Sequence, residues 1–137
     1  MIRSLTLTFA ALLVTTLAFA AEPAVSVVSQ EALLARQQKG DPALFVLDVR
    51  TPEEFAAGHV PGAVNIPHEQ VAARAADVPK DKDVVIYCRS GRRSALAAEA
   101  LAAKGYTRLG HLDGDMMAWE AKGLPVERPA GPKAAGQ

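Results

Sequence analysis

Two near-continuous apolar runs, Leu44-Phe45-Val46-Leu47-Asp48-Val49 and Val84-Val85-Ile86-Tyr87, constrain this chain more than any other feature. A strand with one wet face alternates apolar and polar residues. A run without alternation predicts a strand covered on both faces, which is the habit of parallel sheets. Parallel neighbours need long crossovers, and helical patterns lie between the runs. Ser29 caps a predicted helix through Gln38, with Leu33 and Leu34 facing inward, and Lys39-Gly40-Asp41-Pro42 ends it. Thr51-Pro52-Glu53-Glu54 reads as a capping box, with Pro52 at the first helical position and a stop at Gly58.

Shorter elements fill the rest. Val25 to Val28 is a weak strand, and Ala63-Val64-Asn65-Ile66 is a short one closed by Pro67. His68 to Ala76 reads as helical, Asp77 to Asp81 as a loop, and Asp83 to Tyr87 as the second strong strand. A helix from Ser94 to Lys104 is closed by Gly105. Leu109 to Leu112 is the last strand, and Asp115 to Lys122 the last helix, stopped at Gly123. The alternation predicts an α/β domain with a central parallel sheet of about five strands and helices on both faces.

The N-terminus carries its own signal. Arg3 precedes an apolar stretch from Leu5 to Leu17, and Ala18-Phe19-Ala20 supplies the small residues a signal peptidase accepts. Residues 1–20 therefore read as a cleaved signal peptide, with export to a bacterial periplasm as the expected outcome and no membrane association afterwards. What remains is one ordinary domain. From residue 129 to 137, Pro, Gly, Ala and Gln dominate, and a disordered tail is expected. The chain carries 15 basic and 15 acidic side chains, a balance that argues against nucleic acid as a partner.

The positive charge is local. Cys88, the only cysteine, stands where the second apolar strand runs into Arg89-Ser90-Gly91-Arg92-Arg93 and the helix opening at Ser94. It has no disulfide partner in its own chain. A thiol there meets loop amides, the positive end of a helix and three guanidinium groups, all of which favour the reactive thiolate. The alternative, a buried cysteine acting as a small apolar residue, fits poorly with three arginines around it. In a parallel sheet the functional crevice lies at the carboxyl ends of the strands. Cys88 is at one such end and Asp48-Val49-Arg50 at another.

Several spaced motifs now resemble one family. Leu47-Asp48-Val49-Arg50, Glu54-Phe55, the run Gly58-His59-Val60-Pro61-Gly62-Ala63-Val64-Asn65-Ile66-Pro67, the run from Cys88 to Ser94, Leu112-Asp113-Gly114, Trp119 and Gly123-Leu124-Pro125-Val126 are similar, in order, to the landmarks of the single-domain rhodaneses. These are sulfurtransferases of the thiosulfate:cyanide type. The resemblance covers nearly the whole mature chain and implies a three-layer rhodanese-like domain over residues 25–128. One departure is Asp115, which stands where the family usually has a second glycine. It is expected to alter the start of the last helix or to add negative charge near the mouth.

The implied chemistry is ping-pong sulfur transfer. Thiolate Cys88 takes the outer sulfur of a small anionic donor such as thiosulfate, and the persulfide is discharged to cyanide or a thiol. Amides from Arg89 to Ser94, with Ser90 and Gly91 between them, are expected to cradle the added sulfur. Arg89, Arg92 or Arg93 would bind the donor, and no metal or organic cofactor is called for. A cysteine phosphatase or arsenate reductase needs an arginine six places after the cysteine. That place is Ser94, and Arg93 falls one residue early. A rhodanese module that only carries sulfur or docks a partner is the other alternative. The sequence leaves the oligomeric state open.

Other polar residues have plainer readings. Asp48 and Arg50 could support the crevice, though an ion pair tying loops together is the simpler role. His59 is expected to bond the backbone of its turn, and His68 and His111 look isolated, without metal-ligand spacing. Trp119, Met116 and Met117 are expected to pack on the sheet, and Glu53 and Glu54 to serve the helix start.

Overall fold

The computed structural model describes residues 15, 17 and 25–129. The predicted signal segment 1–20 (but for two residues) and all but the first residue of the predicted tail lie outside the described residues. Five parallel strands form one sheet in the order β1-β5-β4-β2-β3, with β1 Ser26–Val28, β2 Leu44–Asp48, β3 Val64–Asn65, β4 Asp83–Tyr87 and β5 Leu109–Leu112. The helices are α1 Gln30–Gln38, α2 Pro52–Ala57, α3 Arg92–Ala103 and α4 Asp115–Ala121. The predicted class and strand number hold.

The two apolar runs lie side by side, with Leu47 opposite Ile86 and Asp48 opposite Tyr87. Each run feeds both faces of the sheet. Leu47, Val84 and Ile86 join Ala97 and Leu101 of α3 in one core, while Val46, Val85 and Tyr87 join Leu33 of α1 and Met116 and Trp119 of α4 in the other. This is why neither run alternates. Met117 departs from expectation. It is 53% exposed, because it points away from the sheet while its neighbour Met116 is buried.

Local chemistry explains most helix ends. Thr51 Oγ1 accepts the Glu54 amide while Glu54 Oε2 accepts the Thr51 amide, so the capping box is complete. His68 to Ala76 is not one helix but two 3₁₀ turns, His68–Gln70 and Ala75–Asp77. The second turn closes with the Val78 amide on the Ala75 carbonyl at 3.0 Å, and the Tyr106 hydroxyl reaches that carbonyl and that of Val78, pinning the turn to a distant part of the chain. α3 opens two residues before the predicted Ser94. Gly91, with φ of +113°, turns the chain, so Arg92 and Arg93 belong to the first helical turn rather than the loop.

Candidate active site

β4 is the middle strand, and Cys88 follows its last residue. The thiol is 1% exposed. The Gly91 amide donates to Cys88 Sγ at 3.0 Å, and Ser94 Oγ lies 3.6 Å from the same sulfur. Ser94 itself is buried and donates its hydroxyl to the Gly91 carbonyl at 2.8 Å. Amides in the first turn of a helix have no intrahelical acceptor, so those of Arg92, Arg93 and Ser94 open toward whatever the loop holds. Arg89, Ser90 and Arg92 are exposed at its rim.

The loop is tied to α4 from below. The Met116 amide donates to the Cys88 carbonyl at 3.0 Å and the Met117 amide to the Arg89 carbonyl at 3.2 Å. In the opposite direction, the Cys88 amide donates to Asp115 Oδ1 at 2.9 Å. Asp115 is 2% exposed and lies under the loop, so its charge is not at the mouth as expected. Its φ of +54° makes it the one non-glycine residue with positive φ among the described residues. Such backbone costs of order 1 kcal/mol outside glycine, and here the side chain recovers it by bonding the loop. His111 Nε2 lies 3.0 Å from both Asp115 oxygens, so His111 is not isolated. A spacing of four residues was visible in the sequence, but the left-handed turn that makes the two side chains meet was not.

Arg93 also finds a partner the sequence did not announce. Its two guanidinium nitrogens meet Glu54 Oε2 and Oε1 at 2.7 and 3.0 Å, joining the start of α2 to the start of α3. The Arg93 hydrogen bonds hold the Glu54 carboxyl down at about 2 against an opposing effect of burial, with the Thr51 amide helping. Arg93 is therefore committed to Glu54, which leaves Arg89 and Arg92 as the rim arginines. The same geometry weakens a phosphatase reading, since the nearest candidate arginine is turned away to a carboxylate.

Beside the loop, Asp48 and Arg50 form a buried ion pair with Nη2 2.7 Å from Oδ2. The Tyr87 hydroxyl donates to Asp48 Oδ2 at 2.6 Å, and Arg50 Nη2 reaches the Gly58 carbonyl at 2.8 Å. Burial pushes the Tyr87 phenol up, and the neighbouring Asp48 charge adds to it. These residues tie three loops together. A cleft of about 570 Å³ runs over them, lined by Arg50, Glu54, Arg89, Met117 and Glu120 among others. His59 bonds the Phe55 carbonyl through Nδ1 at 2.9 Å and stacks on the Phe55 ring, while His68 pairs with Glu69. Among the described residues no group of three His, Cys, Asp or Glu side chains converges as a metal site would.

Known proteins are similar to this chain in sequence and in fold. A sulfurtransferase of Allochromatium vinosum is 42% identical over 107 residues, covering 78% of this chain and 99% of that protein. The thiosulfate sulfurtransferase PspE of Escherichia coli is 43% identical over 70 residues, covering 50% of this chain and 67% of its own length. Some other relatives are longer proteins, of which this chain spans about half. The solution structure of the rhodanese-like domain of the Alr3790 protein from Anabaena sp. superposes with a TM-score of 0.68 at 29% identity, covering 85% of this chain and 92% of that one. With residues 29–122 matching the rhodanese-like domain, the chain belongs to the rhodanese-like family, to which sulfurtransferases belong.

Proposed function

We propose that the protein is a thiosulfate sulfurtransferase that works through a persulfide on Cys88. The observation that carries this reading is the Gly91 amide held 3.0 Å from Cys88 Sγ at the open start of α3. An anionic sulfur there gains a charge-assisted hydrogen bond and the positive end of a helix. A further sulfur bonded to Sγ extends about 2 Å, within reach of the remaining first-turn amides. Loading breaks the sulfur–sulfur bond of thiosulfate, transfers the outer sulfur to Cys88 and releases sulfite. Discharge passes that sulfur to cyanide or a thiol and returns the Cys88 thiolate.

Steady-state rates with thiosulfate and cyanide varied together test the mechanism. Parallel double-reciprocal lines are expected of a ping-pong cycle, and intersecting lines would contradict it. Loading without turnover would favour a sulfur carrier. Residues 1–20 are proposed to direct export and to be removed after Ala20. N-terminal sequencing of protein from the producing cell's periplasm is expected to begin at Ala21, and an intact Met1 in the cytoplasm would contradict it.

A further inference from the structure

His111 and Asp115 form a dyad that the persulfide chemistry above leaves unused. Asp115 is buried, and its two oxygens both lie 3.0 Å from His111 Nε2. A carboxylate only accepts, so in the neutral ring Nε2 carries the hydrogen and Nδ1 keeps the lone pair. The carboxylate is held in turn by the Cys88 amide at 2.9 Å and lies 3.3 Å from the Ser94 hydroxyl. Asp115 thus fixes the tautomer and the ring orientation while taking no solvent itself. The imidazole is different. Its side chain is 32% exposed.

The exposed part of His111 opens at the end of a groove of about 740 Å³ between α3 and the β1–β5 edge. Gly91, Ser94 and His111 line that end, and Ala95, Ala98 and Val27 wall the rest. Gly91 is the contact between groove and sulfur. Its amide bonds Cys88 Sγ at 3.0 Å, and a Cβ placed on it would lie 3.7 Å from His111 Cε1 and 3.2 Å from Asp115 Oδ2. A side chain at position 91 would therefore press on Asp115 and touch the imidazole, so His111 and the loop adjoin at this end of the groove. A small nucleophile at that end of the groove meets Gly91 and Ser94 on one side and His111 on the other.

We propose that His111, oriented by Asp115, is the general base that deprotonates a thiol acceptor for discharge of the Cys88 persulfide. This deepens the sulfurtransferase reading and rests on it. The acceptor R–SH gives its proton to His111 Nδ1, and R–S⁻ attacks the outer sulfur. The new sulfur–sulfur bond forms as the bond to Cys88 Sγ breaks. That electron pair stays on Sγ, giving R–S–S⁻ and Cys88 thiolate with no net oxidation. The imidazolium then releases its proton to solvent. A thiol mostly protonated at neutral pH needs this help, whereas an acceptor that arrives ionised does not.

The test is single-turnover discharge of full-length protein loaded from thiosulfate, comparing wild type with His111→Gln and Asp115→Asn. Glutamine keeps an N–H for Asp115 but cannot take the proton. The acceptors are 2-mercaptoethanol, a nitro-substituted thiophenol that is already ionised, and sulfite in alkaline buffer. The expected loss in His111→Gln is about 10²-fold with 2-mercaptoethanol and under about threefold with the ionised thiol and with sulfite. Asp115→Asn is expected to show the same order of losses. An equal loss with all three acceptors, or none with 2-mercaptoethanol, overturns the proposal. Wild type that takes no sulfur from thiosulfate sinks the sulfurtransferase reading as well, while normal loading with acceptor-independent loss sinks this inference alone.

Discussion

The loops that follow β2 and β4 leave the sheet side by side, since Asp48 and Tyr87 are opposite one another in register. They use their polar groups in contrary ways. After β2, every charge is matched. Asp48 accepts from Arg50 and Tyr87, Arg50 also bonds the Gly58 carbonyl, and Asn65 Nδ2 bonds the carbonyls of Asp48 and Arg50. After β4, the chain turns on Gly91 and opens a helix whose N-cap amide donates to a sulfur atom. A closed network fixes geometry, and an open one binds. The β2 loop is thus the closed neighbour of an open β4 loop that α4 holds in place.

The largest expected effect breaks the open side of that contrast. Cys88→Ser is expected to abolish sulfur transfer while leaving unfolding free energy within about 1 kcal/mol of wild type. Activity assay and urea denaturation of the same sample check both halves. On the closed side the pattern reverses. Asp48→Ala leaves Arg50 buried without its counter-charge, so a loss of about 3–5 kcal/mol is expected in urea unfolding. A loss below 1 kcal/mol would show that the β2 loop is not the closed network described.

Smaller effects sharpen the comparison at the boundary between the loops. Glu54→Gln releases Arg93 and removes a carboxylate near the rim, so the thiosulfate concentration for half-maximal rate is expected to fall several-fold. No change would mean that Arg93 does not reach the donor even when free. The same pair links to pH with a definite sign. Glu54 is held at about 2 in the folded protein, below its ordinary 4.5. Its contribution is complete above pH 4.5 and is lost as pH falls toward 2. At roughly a third exposure that contribution is under about 1 kcal/mol, and Glu54→Gln is expected to flatten acid unfolding over that window. Smallest of all, Met117→Ser is expected to shift stability by no more than about 0.5 kcal/mol, because the side chain is exposed.

How much could be read from the chain follows the reach of each interaction. The strands and the capping box were legible because apolar runs, Thr51 and Glu54 act over a few neighbouring residues. The break in the helix expected after Pro67 was not legible, because the Tyr106 hydroxyl that pins its second turn comes nearly thirty residues on. The start of α3 was misplaced because the left-handed turn at Gly91 is a matter of backbone geometry, and Ser94 sits in the first turn and bonds back to Gly91. At the candidate site, the position of Cys88 at a strand end was plain. The bond from Arg93 to Glu54 was not, because it joins residues 39 apart. Nor was the meeting of His111 with Asp115, which depends on a left-handed aspartate that local preference does not favour.

The most direct test of the central claim is the mass of the full chain after brief exposure to thiosulfate, followed by peptide mapping. The account predicts a gain of one sulfur atom on the peptide that contains Cys88, its removal by cyanide with formation of thiocyanate, and no gain in Cys88→Ser. An unchanged mass in wild type, or a sulfur found elsewhere, would contradict it.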